Sequence, residues 1–408
     1  MSCPPAALER RATSGLVLLW LLTGYIALQP LSTDFYLPAL PGMASSFGTS
    51  VAIVQLTLTL YIAVFGIAQL FVGPLADRVG RLPVLAGGIA LYTFASFCAV
   101  LAPTVEWLIA ARVGQALGAC SGIVGARAII RDRFPPADGA RILASANAMM
   151  SVLPLVGPVI GGMLAASFGH RSIFAVVTLI SAALLWLTVR HLTETNRAPN
   201  RHATALTPML RNYWQILRHP AFQAYALSQT TTYAGVFAFL SGSPFVFIEV
   251  LGMTPQRFGL CFAITVIGYV IGSLACKHML NRFGVRRTLM FASCLSVSAG
   301  LLMLVLALGG AHSAWAILMP QFLYVMGHGL LTPCAQAGSI SPFPSMAGAA
   351  SALMGFMLAA AGVVTGTIMG LTFNNTVYPL VITIAGAAVM LGIVAWTLVR
   401  RHGHIADA

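Results

Sequence analysis

The sequence predicts an all-α membrane protein of twelve transmembrane helices in two pseudo-symmetric six-helix bundles, and three observations predict it. Of 408 residues, 58% are hydrophobic and 8% are charged, with a mean hydropathy of +0.88. An ordinary soluble domain carries roughly a quarter charged residues, so a soluble enzyme is excluded. The apolar runs number twelve, and most hold the ~20 residues that a bilayer core demands. Finally, the loop at 73–81 recurs at 277–285, an offset of 204 residues or half the chain.

The predicted helices fall at 16–40, 51–75, 83–103, 107–130, 141–168, 172–190, 221–248, 257–280, 286–308, 313–337, 346–372 and 376–399. Turn-formers or charge separate them: Pro41 and Gly48 after the first, Asp77-Arg78 after the second, Pro103 after the third and Pro135-Pro136 after the fourth. Gly169-His170 follows the fifth, Gly252 and Pro255 the seventh, Gly309-Gly310 the ninth, and Pro342 and Pro344 the tenth. The first apolar run is too long for the core of a cleaved leader and is expected to stay in the membrane.

Charge sets the expected orientation, because basic residues resist translocation and accumulate in cytoplasmic loops. With the amino terminus inside, the inner face carries Arg10, Arg11, Arg78, Arg81, Arg127, Arg131, Arg133, Arg141, the five arginines from Arg190 to Arg218, Lys277, Arg282, Arg286, Arg287, Arg400 and Arg401. Arg171 and Arg257 fall outside, and Arg112 lies within a span. Both termini are therefore expected in the cytoplasm, with the chain a multi-pass membrane protein. The net charge of +13 is a topology signal, since its arginines are dispersed among apolar runs rather than gathered into a nucleic-acid groove. No nucleic-acid partner is expected. The seven cysteines (Cys3, Cys98, Cys120, Cys261, Cys276, Cys294, Cys334) lie far apart without C-x-x-C spacing, so no metal site is expected.

The longest polar stretch runs from about Thr193 to Pro220 and divides the chain into an amino-terminal bundle (1–190), a cytoplasmic linker (191–220) and a carboxy-terminal bundle (221–408). Within the linker, Met209-Leu210, Tyr213-Trp214 and Ile216-Leu217 alternate with Arg211 and Arg218; an interfacial helix and a solvated connection both fit that pattern. Duplicated bundles are one way to build alternating access around a central site.

Four constellations carry the chemistry. The loop Gly73-Pro-Leu-Ala-Asp77-Arg78-Val-Gly80-Arg81 combines a small residue for close helix approach, a carboxylate suited to a helix amino terminus of the opposite bundle, and a glycine for a tight turn. Arg78 and Arg81 are then expected to pair with an inner acid, for which Asp132 is the candidate, so that the network latches the cytoplasmic gate. The fourth span holds Arg112 in Leu108-Ile-Ala-Ala-Arg112-Val-Gly-Gln115-Ala-Leu-Gly118, where a guanidinium costs a few kcal/mol unless it finds an anion or water. Of nine acids, eight (Glu9, Asp77, Glu106, Asp132, Asp138, Glu194, Glu249, Asp407) fall in or beside loops and tails, which leaves Asp34. At ~1.5 Å per residue Asp34 and Arg112 both fall in the outer half of the membrane. Asp34 is read as the proton carrier and Arg112 as its tuner, because a nearby guanidinium favours the carboxylate and desolvation favours the acid. The bland alternative is an acid that caps a wetted helix end.

The third constellation is Pro154-Leu-Val-Gly157-Pro158-Val-Ile-Gly161-Gly162 in the fifth span, where proline kinks the helix and small residues permit tight packing. The fourth is an aromatic and polar set: Tyr36 and Gln115, then Gln229, Tyr233 and Phe237 in the seventh span, and Gln321, Tyr324 and His328 in the tenth. Such walls describe a ligand pocket or a helix interface equally well. His328 lies near the midplane, as a relay, a substrate contact or a histidine satisfied by its neighbours. No G-x-S-x-G and no Walker loop appear, so no enzyme or ATP-driven chemistry is expected.

The loop 73–81 is similar to the cytoplasmic signature of the major facilitator superfamily, from which Leu82 departs by lacking a second basic residue. The fourth-span arginine motif and the fifth-span kink resemble that superfamily's patterns too, the latter being its antiporter signature with Leu153 in place of the first glycine. Leu31-Ser-Thr-Asp34-Phe-Tyr36-Leu-Pro38-Ala-Leu-Pro41 closely resembles the start of the bicyclomycin and chloramphenicol resistance (Bcr/CflA) drug:proton antiporters, and Arg131-Asp132, Gly161-Gly162 and Phe343-Pro344 with Met346-Ala347-Gly348 fit them. The resemblance implies the major facilitator fold, the inner membrane of a bacterial cell, and proton-driven efflux of small amphipathic compounds such as bicyclomycin, phenicols or sulfonamides. The alternative is a proton-coupled symporter that imports or exchanges a small metabolite. The expected partners are a small-molecule substrate, the proton and the lipid bilayer, in a monomer that uses the proton gradient and no cofactor.

Overall fold

The computed structural model describes residues 15–150, 152–196 and 204–402; Cys3, Glu9, Arg10, Arg11, Arg197, Arg201 and Asp407 lie outside them. Helices dominate the described residues. The first apolar run is broken: α1 (Gly15–Thr33) ends before Asp34, a turn covers 34–36, a 3-10 turn spans Leu37–Ala39, and α2 (Leu40–Phe47) closes the segment. Pro38 lacks an N–H and restricts Leu37 before it, so the expected continuous helix over 16–40 stops seven residues early.

Next come α3 (Val51–Val79), α4 (Arg81–Val100), α5 (Val105–Arg133), α6 (Pro136–Met150), α7 (Val152–Phe168) and α8 (His170–His191). The linker carries α9 (Leu206–Leu217), and the second half of the chain holds α10 (Pro220–Pro244), α11 (Pro255–Leu308), α12 (Ala314–Ile340), α13 (Ala347–Thr372), α14 (Tyr378–Val394) and the short α15 (Arg400–His402). Single π-helical turns, Phe245–Val250 and Ala395–Val399, extend α10 and α14. The eighth and ninth runs meet in α11 at Gly284, whose φ of 75° breaks the helix. Gly80, its counterpart in the repeat, has φ 117° between α3 and α4. The duplicated loop thus makes the same left-handed turn twice, a conformation that favours glycine.

At the arginine-poor end, side chains cap four helices: Ser50 accepts from the Ile53 N–H, Thr104 from Trp107, Thr254 from Arg257 and Ser313 from Ala316. These caps satisfy amides that have no helical partner. Within the first half, α5 packs on α1, α3 and α4, and α8 on α4; within the second, α12 packs on α10 and α11, and α14 on both. Two seams join the halves, α3 with α13 and α7 with α11. Large apolar side chains point outward around the molecule, including Trp20, Phe94, Phe168, Trp186 and Trp315, as lipid-facing helices require. The linker resolves as an amphipathic helix. Leu206, Leu210, Trp214 and Leu217 form its exposed stripe while Met209 and Ile216 pack inward, the pattern of a helix lying at a membrane interface.

Candidate functional site

Asp34 sits on the turn that ends α1, buried to 7% exposure. Its backbone N–H donates to the Pro30 carbonyl at 2.7 Å, and the Thr33 hydroxyl donates to its carboxylate at 2.9 Å. The turn lies on the seam between the halves, since the residues that follow it contact α7 on one side and α10 and α11 on the other. Tyr233 of α10 lies within electrostatic reach of the Asp34 carboxylate. No ion pair joins Asp34 to any base among the described residues.

Arg112, fully buried in α5, is held otherwise than by the expected carboxylate. Its guanidinium lies 4.9 Å from the Tyr36 ring centroid and 4.2 Å from that of Tyr61. Its Nε donates to the Thr57 carbonyl at 3.3 Å and its Nη1 to Gln115 Oε1 at 2.8 Å. Gln115 in turn donates to Ser96 at 2.8 Å, and the Tyr36 hydroxyl is bonded to Thr57. Tyr36 and Gln115, expected as substrate contacts, are therefore placed as the walls and brace of this arginine. Arg112 Nη2 keeps no partner. The sequence reading missed Tyr61 and Thr57. Their i, i+4 spacing on α3 was visible, but which helix face met Arg112 was not.

The kink helix α7 presses on the Asp34 turn. A Cβ at Gly157 would stand 2.7 Å from the Phe35 ring and 3.5 Å from Asp34 Cβ, and one at Gly161 would run into the Phe35 carbonyl oxygen. Gly162 faces the Pro255 carbonyl of α11 at 2.6 Å by the same measure, and Gly259 returns the approach against Pro158. Pro154 stands one turn before Gly157 on the same helix. These small residues bring the two halves into backbone contact beside the buried acid.

At the arginine-rich end, the loop residues expected to form a gate converge. Arg81 reaches Asp77 at 2.5 Å and Asp132 at 3.0 Å, and Arg131 makes longer pairs with both acids, 3.8 and 3.7 Å. Arg78 departs from expectation by donating to Thr204 Oγ1 at 2.8 Å. Gly73 packs toward Val124, and Gly80 makes the turn that starts α4. No side chain at Gly80 caps that helix; Glu194 does so from the end of α8, accepting the N–H groups of Arg81 and Leu82 at 3.0 Å each. Partial burial pushes the Glu194 carboxyl up, but those donors and the N–H groups of Asn196 and Thr195 outweigh it and hold the group below its ordinary value. Glu194 read as a loop acid in the sequence; a helix start preceded by glycine was the signal that it needed a distant cap. A cavity of about 480 Å³ opens beside this network, between α3, α5, α9 and the start of α13.

In the second half, His328 stands between two threonine hydroxyls, 3.0 Å from Thr232 and 3.4 Å from Thr332. The Tyr233 and Tyr269 rings lie 6.3 and 5.9 Å from it. Tyr324 donates to the Thr232 carbonyl at 3.1 Å, and Phe237 stacks near Tyr233. Gln321 is buried with neither amide atom bonded, and the Gln229 carbonyl oxygen is likewise free. Tyr233 stands near Asp34, and Tyr324 is part of the α10–α12 packing. Among the described residues no cluster of potential metal ligands occurs.

The model of the Major Facilitator Superfamily matches residues 22–254 and 225–407. Multidrug resistance protein D of Escherichia coli is 30% identical over 341 residues, covering 83% of this chain and 84% of that protein. A bicyclomycin resistance protein homolog of Haemophilus influenzae is 25% identical (90% and 92% covered), and a chloramphenicol resistance protein of Pseudomonas aeruginosa 28% identical (91% and 88%). Among solved structures, a peptide transporter POT in complex with sulfate aligns with a TM-score of 0.77 at 15% identity, covering 98% of this chain and 97% of that one. A bacterial homolog of the human lysosomal transporter Spinster, inward-facing and occupied, aligns at 0.72 and 16% identity over 98% and 100% of the chains. These likenesses confirm the fold. With twelve apolar runs in two bundles and a duplicated loop, the chain belongs to the major facilitator superfamily as a multi-pass membrane transporter rather than an enzyme, among relatives of the bicyclomycin and chloramphenicol resistance type.

Proposed function

We propose that this transporter exports small amphipathic compounds in exchange for protons, with Asp34 as the group that binds the proton. The observation that carries the reading is a buried carboxylate, without a counter-ion among the described residues, on the seam where the two halves meet. A charge at that depth is costly and marks a pathway rather than a surface. Arg112 does not neutralise it. Its cage instead fixes Tyr36, two residues beyond Asp34, and so positions the turn.

The mechanism follows alternating access. With the site open inward, Asp34 gives up its proton and an amphipathic substrate enters the aromatic and amide-lined space of Tyr233, Phe237 and Gln229. With the site open outward, a proton returns to Asp34 and the substrate leaves. Coupling then requires that proton and substrate compete for one site. The close packing of α7 on the Asp34 turn at Gly157 and Gly161, and on α11 at Gly162, seals the outer end against leak between cycles. The arginine distribution supports an inner-membrane orientation with both termini cytoplasmic; the division at 191–220 and a monomeric unit with no cofactor complete the proposal. His328, already bonded to threonines, supports the packing of α10 on α12.

The names of the relatives suggest the first compounds to try. A host lacking its own pumps and expressing this chain should tolerate at least one of bicyclomycin, chloramphenicol or a sulfonamide better than the empty host. Both a protonophore and Asp34→Asn should remove that protection. Protection that survives Asp34→Asn would assign the proton elsewhere, and proton-driven extrusion from inverted vesicles, rather than accumulation in them, would favour the symporter.

A further inference from the structure

The cavity at the arginine-rich end has a charge imbalance that transport by Asp34 does not use. Three arginines line it, Arg81, Arg127 and Arg131, against one carboxylate, Asp77. That carboxylate is spent on Arg81 at 2.5 Å, leaving Arg131 long pairs only, 3.8 Å to Asp77 and 3.7 Å to Asp132. Arg127 makes no ion pair among the described residues; its Nη1 donates to the Ser351 hydroxyl of α13 at 3.1 Å. Its guanidinium therefore keeps most of its five donors and its whole charge for the cavity. Opposite stands the first turn of α13, whose N-cap Met346 supplies no side-chain bond to the opening amides. Met346, Gly348 and Ala349 face the same space. The unpaired Arg127, the loosely paired Arg131 and the positive end of a 26-residue helix thus meet in one recess whose single lining carboxylate is engaged by Arg81.

We propose that this recess is an anion-recognition vestibule, in which Arg127 and Arg131 with the opening turn of α13 hold an oxyanion group: a carboxylate, sulfonate or phosphate of a small molecule entering from the inner side, or the phosphate of a lipid headgroup. The assignment of the inner side rests on the transport reading above; the anion site itself does not. It also sharpens substrate class. Asp34 at depth disfavours a net anion, so a compound that uses both sites presents an acidic group first and a neutral or cationic body to the seam. Because the site draws on both halves, Arg127 from α5 and the amides of α13, an anion bound there also bridges them.

The test uses the full chain purified in neutral detergent and titrated with sulfate, read as the shift in melting temperature against chloride at equal ionic strength. Sulfate should stabilise the native chain with a saturable response, and Arg127→Gln should weaken its apparent affinity at least fivefold, while Arg400→Gln, on the same face but outside the cavity, should not. A second variant guards against misfolding. A Cβ at Gly348 meets nothing nearer than an Arg131 nitrogen at 3.9 Å, so Gly348→Asp fits, places a carboxylate in the recess, and should raise the melting temperature while abolishing the sulfate response. Nanodiscs with phosphatidylglycerol separate the sources: competition with sulfate identifies the headgroup, and its absence identifies the free anion. Asp34→Asn should bind sulfate as the native chain does, which keeps this test apart from that of proton coupling. Equal sulfate affinity in Arg127→Gln and Gly348→Asp, or an identical response to chloride, would overturn the proposal.

Discussion

Arg112 shows why a buried charge here needs no carboxylate. Burying an arginine at mid-helix costs about 2.5–3.5 kcal/mol by insertion scales. A desolvated guanidinium–ring contact returns about 2 kcal/mol, and a hydrogen bond to a charged group about 1.5–3 kcal/mol. Two rings and two bonds therefore outweigh the cost, and Asp34 is left free to change its proton. Tyr61→Leu removes one ring face and should lower stability by about 1–2 kcal/mol, whereas Tyr61→Phe keeps the face and should not; relative melting temperatures of the purified variants decide it. Elimination among nine acids found Asp34 in the sequence but assigned it the wrong neighbour, because tyrosines that cage a cation carry no charge to count. Glu194 gives a pH-dependent prediction. Its carboxyl is lowered by backbone donors, so the stability it adds is present above the ordinary value of 4.5 and is lost as pH falls through the lower folded value. Glu194→Gln should therefore melt earlier than the native chain at pH 7, and the gap should close once pH falls below the lowered folded value. A gap that persisted in acid would show that the carboxylate charge is not what caps α4.

At the scale of elements, glycine decides where helices touch. Gly161 admits the Phe35 carbonyl where a methyl group would collide with it, so Gly161→Ala must displace the Asp34 turn. Overpacking of this kind costs about 1–3 kcal/mol. Drug protection should fall sharply, while Gly87→Ala, whose Cβ meets nothing within 4 Å, should leave it intact. Susceptibility of hosts expressing the two variants compares them directly. The break of the first run was half legible. Pro38 and Pro41 announced a boundary, yet the apolar pattern ran on through residues 34–40 because those residues are buried against other helices whether or not they are helical. The amphipathic pattern of 206–217 was legible as well, but only packing of Met209 and Ile216 decided between helix and solvated linker. Repeats were the most informative signal: Gly80 and Gly284, 204 residues apart, share a positive φ.

For the whole molecule, the two ends differ. At the arginine-poor end, Leu37–Ala39 and α2 lie against α10, α11 and the turn Phe245–Val250, and Gln55 donates to the Ser241 carbonyl across the halves at 3.1 Å. At the other end a cavity of about 480 Å³ lies between α3, α5, α9 and the start of α13, where Arg127 donates to the Ser351 hydroxyl across the halves. The ion pairs among Asp77, Arg81, Arg131 and Asp132 all lie within the first half. In a cysteine-free background, Ser351→Cys should react with a membrane-impermeant maleimide from the cytoplasmic side and Asn375→Cys from the opposite side; the reverse pattern would invert the topology. The apolar helices and the duplicated halves were legible from composition and the repeated loop, since membrane insertion is decided by hydropathy. Which polar groups meet across the seam was not, because it depends on how two bundles dock.

The most direct measurement is proton movement itself. The purified chain is reconstituted into vesicles containing a pH-sensitive dye, and a compound identified by the susceptibility screen is added under an imposed pH gradient. Substrate-dependent proton flux opposite in direction to the substrate, present in the native chain and in Tyr61→Phe and absent in Asp34→Asn, is the predicted result. Proton flux that continues in Asp34→Asn, or substrate flux indifferent to the gradient, would contradict it.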